Sequence, residues 1–446
     1  MRLAAFFHDG ERKQTLRISG QGGWHLRGPW VCGVLFVGMA CARAQVVSVA
    51  QRGGHVEVSG SADFPSGRSA QIYTTSAVPG HLTDPLARQL ADEIDSSSKS
   101  AGRVSLIHDA RLDRVAYDIA FLTADMNVPA SDAIAFLLGY YGLVEPEPNL
   151  ILIKGSDGAE PSAVTDLHHQ IATISSAGAW RRVGIGVRRR SGGWSAVLAF
   201  NEQNLDLQPV PRRLSATGET VIAGHVGPLF RAPEVLVTSP KGTVRKLVTS
   251  SQKRAFSARF QCHQGPGVYQ VEVNAEDVRG PTVVANFPLY CGVDPPSRFA
   301  TRAPVALVAS DAASSERQIL DLLDRDRAAH GLPALIRDPR LAEIARRYSR
   351  EMAGTGEVAH FSRRSGNALD RVRAARISPM PTIIAENVGR DYSAADAERG
   401  FMASPGHRDN ILNPGVTHVG VGVEIGKPEG GAAPLFFTQL FAGWGQ

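Results

Sequence analysis

The sequence predicts a multidomain α/β protein in which an all-β module separates two α/β units. Three observations predict this. At 446 residues the chain is long enough for about three domains. Between residues 206 and 298 the pattern changes to short runs rich in β-branched and aromatic residues, parted by Gly, Pro and Ser. A shift of 229 residues lays the start of one α/β unit on the start of the other.

Composition narrows the class. Hydrophobic residues at 43% with 20% charged describe a globular chain, not a disordered one. The net charge of +5 is slight for this length. The densest basic stretch, Arg181–Arg190, brackets a short apolar run and reads as the solvated ends of a strand. No basic groove is interleaved with aromatics, so no nucleic-acid partner is expected.

Residues 1–44 read as an export signal. The apolar run Trp30–Ala40 follows Arg27 and ends near the small-x-small site Ala42-Arg43-Ala44. It is too short for a transmembrane span. Secretion, or retention in the periplasm or cell envelope, is therefore expected. A lipoprotein box ending at Cys41 is the weaker reading, because Gly38 stands where a large aliphatic belongs. With Cys32 and Cys41 inside the signal, Cys262 and Cys291 remain as an even pair in an exported chain, and a disulfide is the default.

Residues 45–84 form a loosely structured lead-in. Residues 85–203 are the first α/β unit. Its Arg88–Asp95 falls on Arg317–Asp324, and its Leu106–Leu112 on Leu335–Leu341, without a gap. Eleven of the 29 positions from 88 to 116 are identical, which favours duplication over chance. Arg182–Val187 is likewise similar to His418–Val423. Leu150–Ile153 stands near the place of Ala385–Val388, and His168 and His169 near that of His407, so the first copy keeps a scaffold and has lost the polar residues. Residues 206–298 then predict an immunoglobulin-like β-sandwich whose final edge the disulfide would pin. Residues 299–314, rich in Ala, Ser and Pro, make a linker to the last unit, 315–446.

In that last unit Ser315 is placed to cap a first helix that Gly331 ends, and Asp338-Pro339 opens a second. The second helix runs out near Gly354–Gly356, which leaves His360 just beyond it. Ser393 with Asp396 has the spacing of a capping box. Ser404-Pro405-Gly406-His407 predicts a short helix with Ser404 as cap and His407 in the first turn, where the helix dipole disfavours imidazolium. Glu386 sits in the apolar run Ile383–Val388 and needs partners if buried, with the two histidines the natural ones. The plainer alternative is that Glu386 and Asn387 tie down loop backbone.

Around Val358–Phe361, Ala385–Val388 and Ser404–Leu412 the sequence resembles the CAP superfamily, which includes cysteine-rich secretory proteins, antigen 5 and plant pathogenesis-related proteins. It looks closest to the secreted bacterial branch. The resemblance implies a three-layer α-β-α sandwich for 315–446 and, faintly, a degenerate CAP-like copy over 85–203. It also implies a cleft with two histidines and two glutamates, of which His360, Glu386 and His407 match three. Phe401 replaces the family tryptophan and Ser404 the second glutamate, and Asp324 replaces an asparagine of the first helix. The family suggests lipids or sterols, zinc, or cell-envelope polymers as ligands.

A ligand-binding cleft of His360, Glu386, His407, Ser404 and Asn387 is the leading expectation. Neither His-Glu-x-x-His nor Gly-x-Ser-x-Gly occurs in the chain. The alternative is a metal-dependent hydrolase or peptidase, with zinc on His360 and His407 and Glu386 as third ligand or general base. Activation of Ser404 or Ser362 by a neighbouring histidine is the other catalytic route. A third reading makes the cluster a fold-holding network.

Overall fold

The computed structural model describes residues 65–123, 131–146, 148–158, 180–299, 311–428 and 433–444, with isolated positions at 3–4, 160 and 164. The expected export segment, with Cys32 and Cys41, lies outside the described residues, as do His168, His169 and residues 300–310.

The first unit begins where the Asp84 carboxylate accepts from the Leu86 and Ala87 N–H groups and Pro85 fills the first turn of α1 (Pro85–Ser100). It continues through β1 (Ile107–His108), α2 (Ala110–Leu122), α3 (Ser131–Tyr140), β2 (Asn149–Ser156), β3 (Arg182–Arg190) and β4 (Gly193–Asn201). Strands β2 and β3 flank β4 antiparallel, and β1 adds parallel to β3. Arg182 corrects an expectation. It is not a solvated strand end but is fully buried, ion-paired with Asp109 at 2.7 Å and also with Glu145. A guanidinium is tolerated there because two carboxylates meet it.

The middle module comprises β5 (Leu205–Leu207), β6 (Glu219–Val226), β7 (Arg231–Thr238), β8 (Val244–Lys246), β9 (Thr249–Gln252), β10 (Ala255–Gln261), β11 (Gly267–Asp277) and β12 (Gly280–Cys291). One sheet runs β9-β10-β6-β5, and the other β8-β7-β11-β12 with Arg213–Leu214 beyond it. Alternating residues such as Val235, Val237, Val271, Val273, Phe256 and Phe260 point between the sheets and form their common core. Cys262, just after β10, is bonded to Cys291 at the end of β12. The disulfide therefore joins the two sheets, where the sequence pointed to a pinned edge. The described part of the lead-in is also not loose. Tyr73 is fully buried in the core of the middle module, 4.8 Å from the Phe287 ring, and Ile72–Tyr73 pairs with Val210–Pro211.

The last unit holds α4 (Ala312–Ala329), β13 (Ile336–Arg337), α5 (Pro339–Thr355), α6 (Ala368–Ala374), β14 (Ile383–Asp391), α7 (Ala394–Ala403), α8 (Pro405–Ile411), β15 (His418–Ile425) and β16 (Leu435–Gly443). Its sheet has the order β13-β15-β16-β14. Ile319, Leu323, Phe401 and Ile411 bring α4, α7 and α8 onto one face. Leu341, Ile344, Ala345 and Val372 bring α5 and α6 onto the other. The result is three layers, α-β-α. Asp311, not Ser315, caps α4, accepting from the Ser314 N–H at 2.8 Å. A carboxylate one turn earlier outcompetes the hydroxyl, and Ser315 is buried inside the helix. At α7 the Ser393 hydroxyl accepts from the Asp396 N–H as expected, but the Asp396 carboxylate takes the Ser393 hydroxyl proton rather than its backbone N–H.

The two α/β units repeat one local design. Asp109 and Asp338 each cap a helix, and their own N–H groups donate to Val183 and Val419 on the neighbouring strand. Ile107 pairs with Arg182 as Ile336 pairs with His418. Gly184 and Gly186 lie under the backbone of α2 at Leu112 and Ala116–Tyr117; Gly420 and Gly422 lie under α5 at Leu341–Ala342 and Ala345–Arg346. Any Cβ at these positions would collide with helix backbone, so the Gly-x-Gly strands set how closely helix and sheet approach. Gly422→Val is expected to cost about 3 kcal/mol or more, since neither backbone can yield. Gly354→Ala, at a helical position open to space, should instead stabilise by about 0.5–1 kcal/mol. Urea unfolding of the two variants checks both signs.

Candidate functional site

Each side chain of the expected cluster is placed by a different element. Helix α5 ends at Gly356, which turns left-handed (φ 74°), and the chain then reaches His360. The middle module holds it there: the Arg279 carbonyl, in the β11–β12 turn, accepts from the N–H groups of His360 at 3.1 Å and Phe361 at 2.8 Å. His360 Nδ1 lies 3.1 Å from Glu386 Oε1. Glu386, on β14, is 7% exposed, and its other carboxylate oxygen is ion-paired with Arg371 of α6. The Arg371 guanidinium stacks 3.4 Å from the centre of the Tyr348 ring, and the Tyr348 hydroxyl donates to the Ala359 carbonyl at 2.5 Å. Two donors on one buried carboxylate answer the need for partners. Because a carboxylate only accepts, His360 Nδ1 carries the proton that faces Glu386, which in the neutral ring leaves Nε2 as an acceptor. Nothing about an arginine in a short polar helix marks Arg371, in the sequence, as a buried partner.

His407 lies in α8 with its ring against Phe401 (5.1 Å between centroids) and 6.3 Å from the His360 ring. Part of the residue stays exposed, but its ring is desolvated. That burial, with the His360 charge second, pushes its pKa down to about 3. The imidazole is thus neutral, as expected, but for a different reason than the helix dipole: exclusion of water from the charged form dominates.

Ser404 holds the cap position of α8 without a side-chain capping bond. Its hydroxyl donates at 2.5 Å to Glu272 Oε2, on β11 of the middle module. Glu272 Oε1 accepts from the Gly406 N–H at 3.0 Å and from Asn274 Nδ2 at 2.9 Å. Glu272 is fully buried. Burial drives its pKa upward, opposed by these three hydrogen bonds. A carboxylate from one domain therefore does what a serine was expected to do in another. In the sequence Glu272 is one acid in an alternating strand, and only the packing of domains reveals it.

Asn387 lies behind the cavity wall, fully buried. Its Nδ2 donates to the His407 carbonyl at 3.1 Å and to Gln439 Oε1 at 2.9 Å, and its Oδ1 accepts from Asn410 at 2.9 Å. Gln439 donates in turn to Glu398 at 2.6 Å, whose pKa burial raises to about 8. Asn387 thus positions α8 rather than meeting a ligand, which corrects its expected place in the cleft. Ser362 donates to Glu351 at 2.5 Å. Neither serine hydroxyl is directed at a histidine.

His360, Glu386, Ser404 and His407 share one cavity of about 870 Å³. Glu272, Asn274 and Arg279 of the middle module, and Asn149, Trp180 and Asn201 of the first unit, line the same space. Among the described residues no group of three His, Cys, Asp or Glu is arranged to hold a metal ion. The donor set explains this: both Glu386 oxygens are already engaged, one by a guanidinium that a cation would have to displace. The site does not fit zinc on His360, His407 and Glu386.

Residues 320–441 match the model of the cysteine-rich secretory protein family, CAP. The last unit therefore carries a CAP domain. Two curated proteins of Bacillus subtilis are similar over this region: the uncharacterized membrane protein YlbC, 36% identical over 112 residues, and the uncharacterized protein YkwD, 32% identical over 136. These alignments cover 25% and 30% of this chain, and 32% and 49% of the relatives. The chain thus spans about a third and about half of their lengths. Solved structures with likeness include an extracellular SCP-domain protein from Bacillus anthracis, 19% identical, covering 54% of this chain and 86% of that one at a TM-score of 0.26. Another is an outer surface protein from Borrelia burgdorferi, 15% identical, covering 30% and 97% at a TM-score of 0.27. Among the described residues no helix is long and apolar enough to cross a membrane.

Two outcomes follow for the CAP cleft. Glu272→Gln keeps one acceptor for Gly406 and Asn274 and a donor for Ser404, whereas Glu272→Leu orphans all three and should cost about 2–4 kcal/mol. Because the folded pKa of Glu272 is raised, its contribution is full below the unfolded value of 4.5 and declines as pH rises above it. The stability of Glu272→Gln relative to the native chain should therefore improve from pH 4.5 to 8, as read by denaturant midpoints. For His407 the sign is opposite: its contribution is present above pH 6.5 and is lost as pH falls toward 3. Long-range ¹H–¹⁵N NMR should show a neutral imidazole at pH 5, and His407→Phe should flatten the acid slope of stability.

Proposed function

We propose that this CAP-domain protein is an exported binding protein whose His360–Glu386–His407 cleft takes a small ligand or a segment of an envelope component. The observation that carries this reading is the single cavity in which those side chains meet residues of both preceding domains. Its volume falls in the range of small-molecule sites. His360 Nε2 supplies an acceptor, and neutral His407 adds imidazole nitrogens that carry no charge to neutralise. The export segment at 1–44 belongs to this reading. So does descent of 85–203 and the CAP domain from one duplicated unit, which the recurring Asp cap and Gly-x-Gly strand support.

The hydrolytic alternative has less support. Ser404 and Ser362 donate to carboxylates, and Glu386 is held by Arg371, so neither of these hydroxyls is poised beside a free base. The test is a thermal-shift panel on the full chain with sterols, fatty acids, soluble cell-wall fragments and zinc. One of the organic classes should raise Tm, and His360→Ala should remove that shift while leaving the unliganded Tm within a few degrees. Stabilisation by zinc alone, or none by any class, would overturn the reading.

A further inference from the structure

We propose that the first α/β unit supplies a recognition wall for an uncharged carbohydrate chain, making it part of the binding site. This rests on the cavity being a ligand site, and it names the ligand class. Asn149 opens β2 and Asn201 closes β4. Asn149 pairs in register with Phe200, the residue before Asn201, so the two amides sit together at one end of the sheet. They are 7% and 3% exposed, and both line the cavity. Asn149 Oδ1 and Asn201 Nδ2 have no hydrogen-bond partner, nor has Oδ1 of Asn274, which reaches the same cavity from the middle module.

Buried polar atoms are rarely left unmatched, since each costs on the order of 1–3 kcal/mol. Three in one cavity, from two domains, describe a surface built to be completed by something else. The missing complement must both donate and accept. Hydroxyl groups do both at once. An acyl chain would desolvate these amides and match none of them, and a sterol brings a single hydroxyl to three orphaned atoms. An anion would face Glu202 on the same walls, while the Arg279 side chain is already paired with Asp277 at 2.6 Å. Trp180, half-buried with its ring 6.1 Å from Phe200, gives the wall an apolar face beside the amides. An aromatic face next to convergent amides suits a sugar ring, apolar across its C–H faces and polar around its rim.

The experiment is calorimetric titration of the full chain with chitotetraose, cellotetraose and maltotetraose, beside a blocked tetra-alanine peptide. At least one oligosaccharide should bind, and Asn149→Leu/Asn201→Leu should weaken it tenfold or more. The same double variant should keep or raise Tm, because it removes orphaned amides rather than bonds. A lower Tm would show the amides to be structural and overturn the proposal. If His360→Ala abolishes binding of some ligand but the double variant does not, the cleft reading stands and the carbohydrate wall falls. Binding of the peptide or a sterol in place of every sugar has the same consequence. No binding by any probe sinks both.

Discussion

The cleft depends on one buried carboxylate. Glu272 leaves the middle module, enters the CAP domain at the start of α8, and is gripped there by the Ser404 hydroxyl, the Gly406 N–H and the Asn274 amide. Removing a carboxylate from water costs several kcal/mol unless its lone pairs are met, so this contact either forms completely or works against docking of the two domains. A second contact, Arg279 carbonyl to the His360 and Phe361 N–H groups, sits at the far end of the same strand. Strand β11 and its turn thus fix both histidine-bearing segments from outside their own domain. The inter-sheet disulfide makes this arm stiff: β12, which carries Cys291, pairs with β11 along its whole length. What looks like a spacer in the sequence sets the geometry of the site.

The two α/β units show how one scaffold holds or loses polar machinery. Strand pairing places Leu150 opposite Ala199 and Ile151 opposite Leu198, where the CAP domain has Glu386 opposite Leu440 and Asn387 opposite Gln439. The amide pair at the centre of the CAP sheet, with Glu398 behind it, is replaced in the first unit by aliphatic contact. Both solutions satisfy the interior: one by a connected network, the other by having nothing to satisfy. The aliphatic version cannot aim a carboxylate at a histidine. The first unit instead places its polar residues at the strand ends, Asn149 and Asn201, facing the cavity its partner opens.

Much of this was legible in the residues, and the remainder was hidden for physical reasons. Asp338-Pro339 and the apolar stripe behind it specify α5 locally, because capping and periodicity act within a few residues. The meeting of His360, Glu386 and His407 was accessible through three short motifs around them. The true partners were not. Arg371 reaches Glu386 across a helix, Glu272 reaches Ser404 across 132 positions, and Arg182 is drawn inward by Asp109 across 73. Long-range ion pairs carry no periodicity, so a basic cluster such as Arg181–Arg190 reads as surface until the fold brings two acids to one of its members.

The charge states of the cleft follow from the same packing. His407 resists protonation because its ring is desolvated and a second imidazole stands 6.3 Å away, so a proton gained on one opposes a proton on the other. Glu386 is spoken for by Arg371, which fixes it as an orienting group for His360 rather than a mobile base. Glu398 and Glu272 are pushed toward the neutral acid by burial. Around the two histidines, then, Glu386 is paired, His407 is neutral, and Glu272 and Glu398 are biased toward the uncharged acid. A site made this way discriminates by the directions of its donors and acceptors rather than by long-range attraction, and its affinity should depend little on salt.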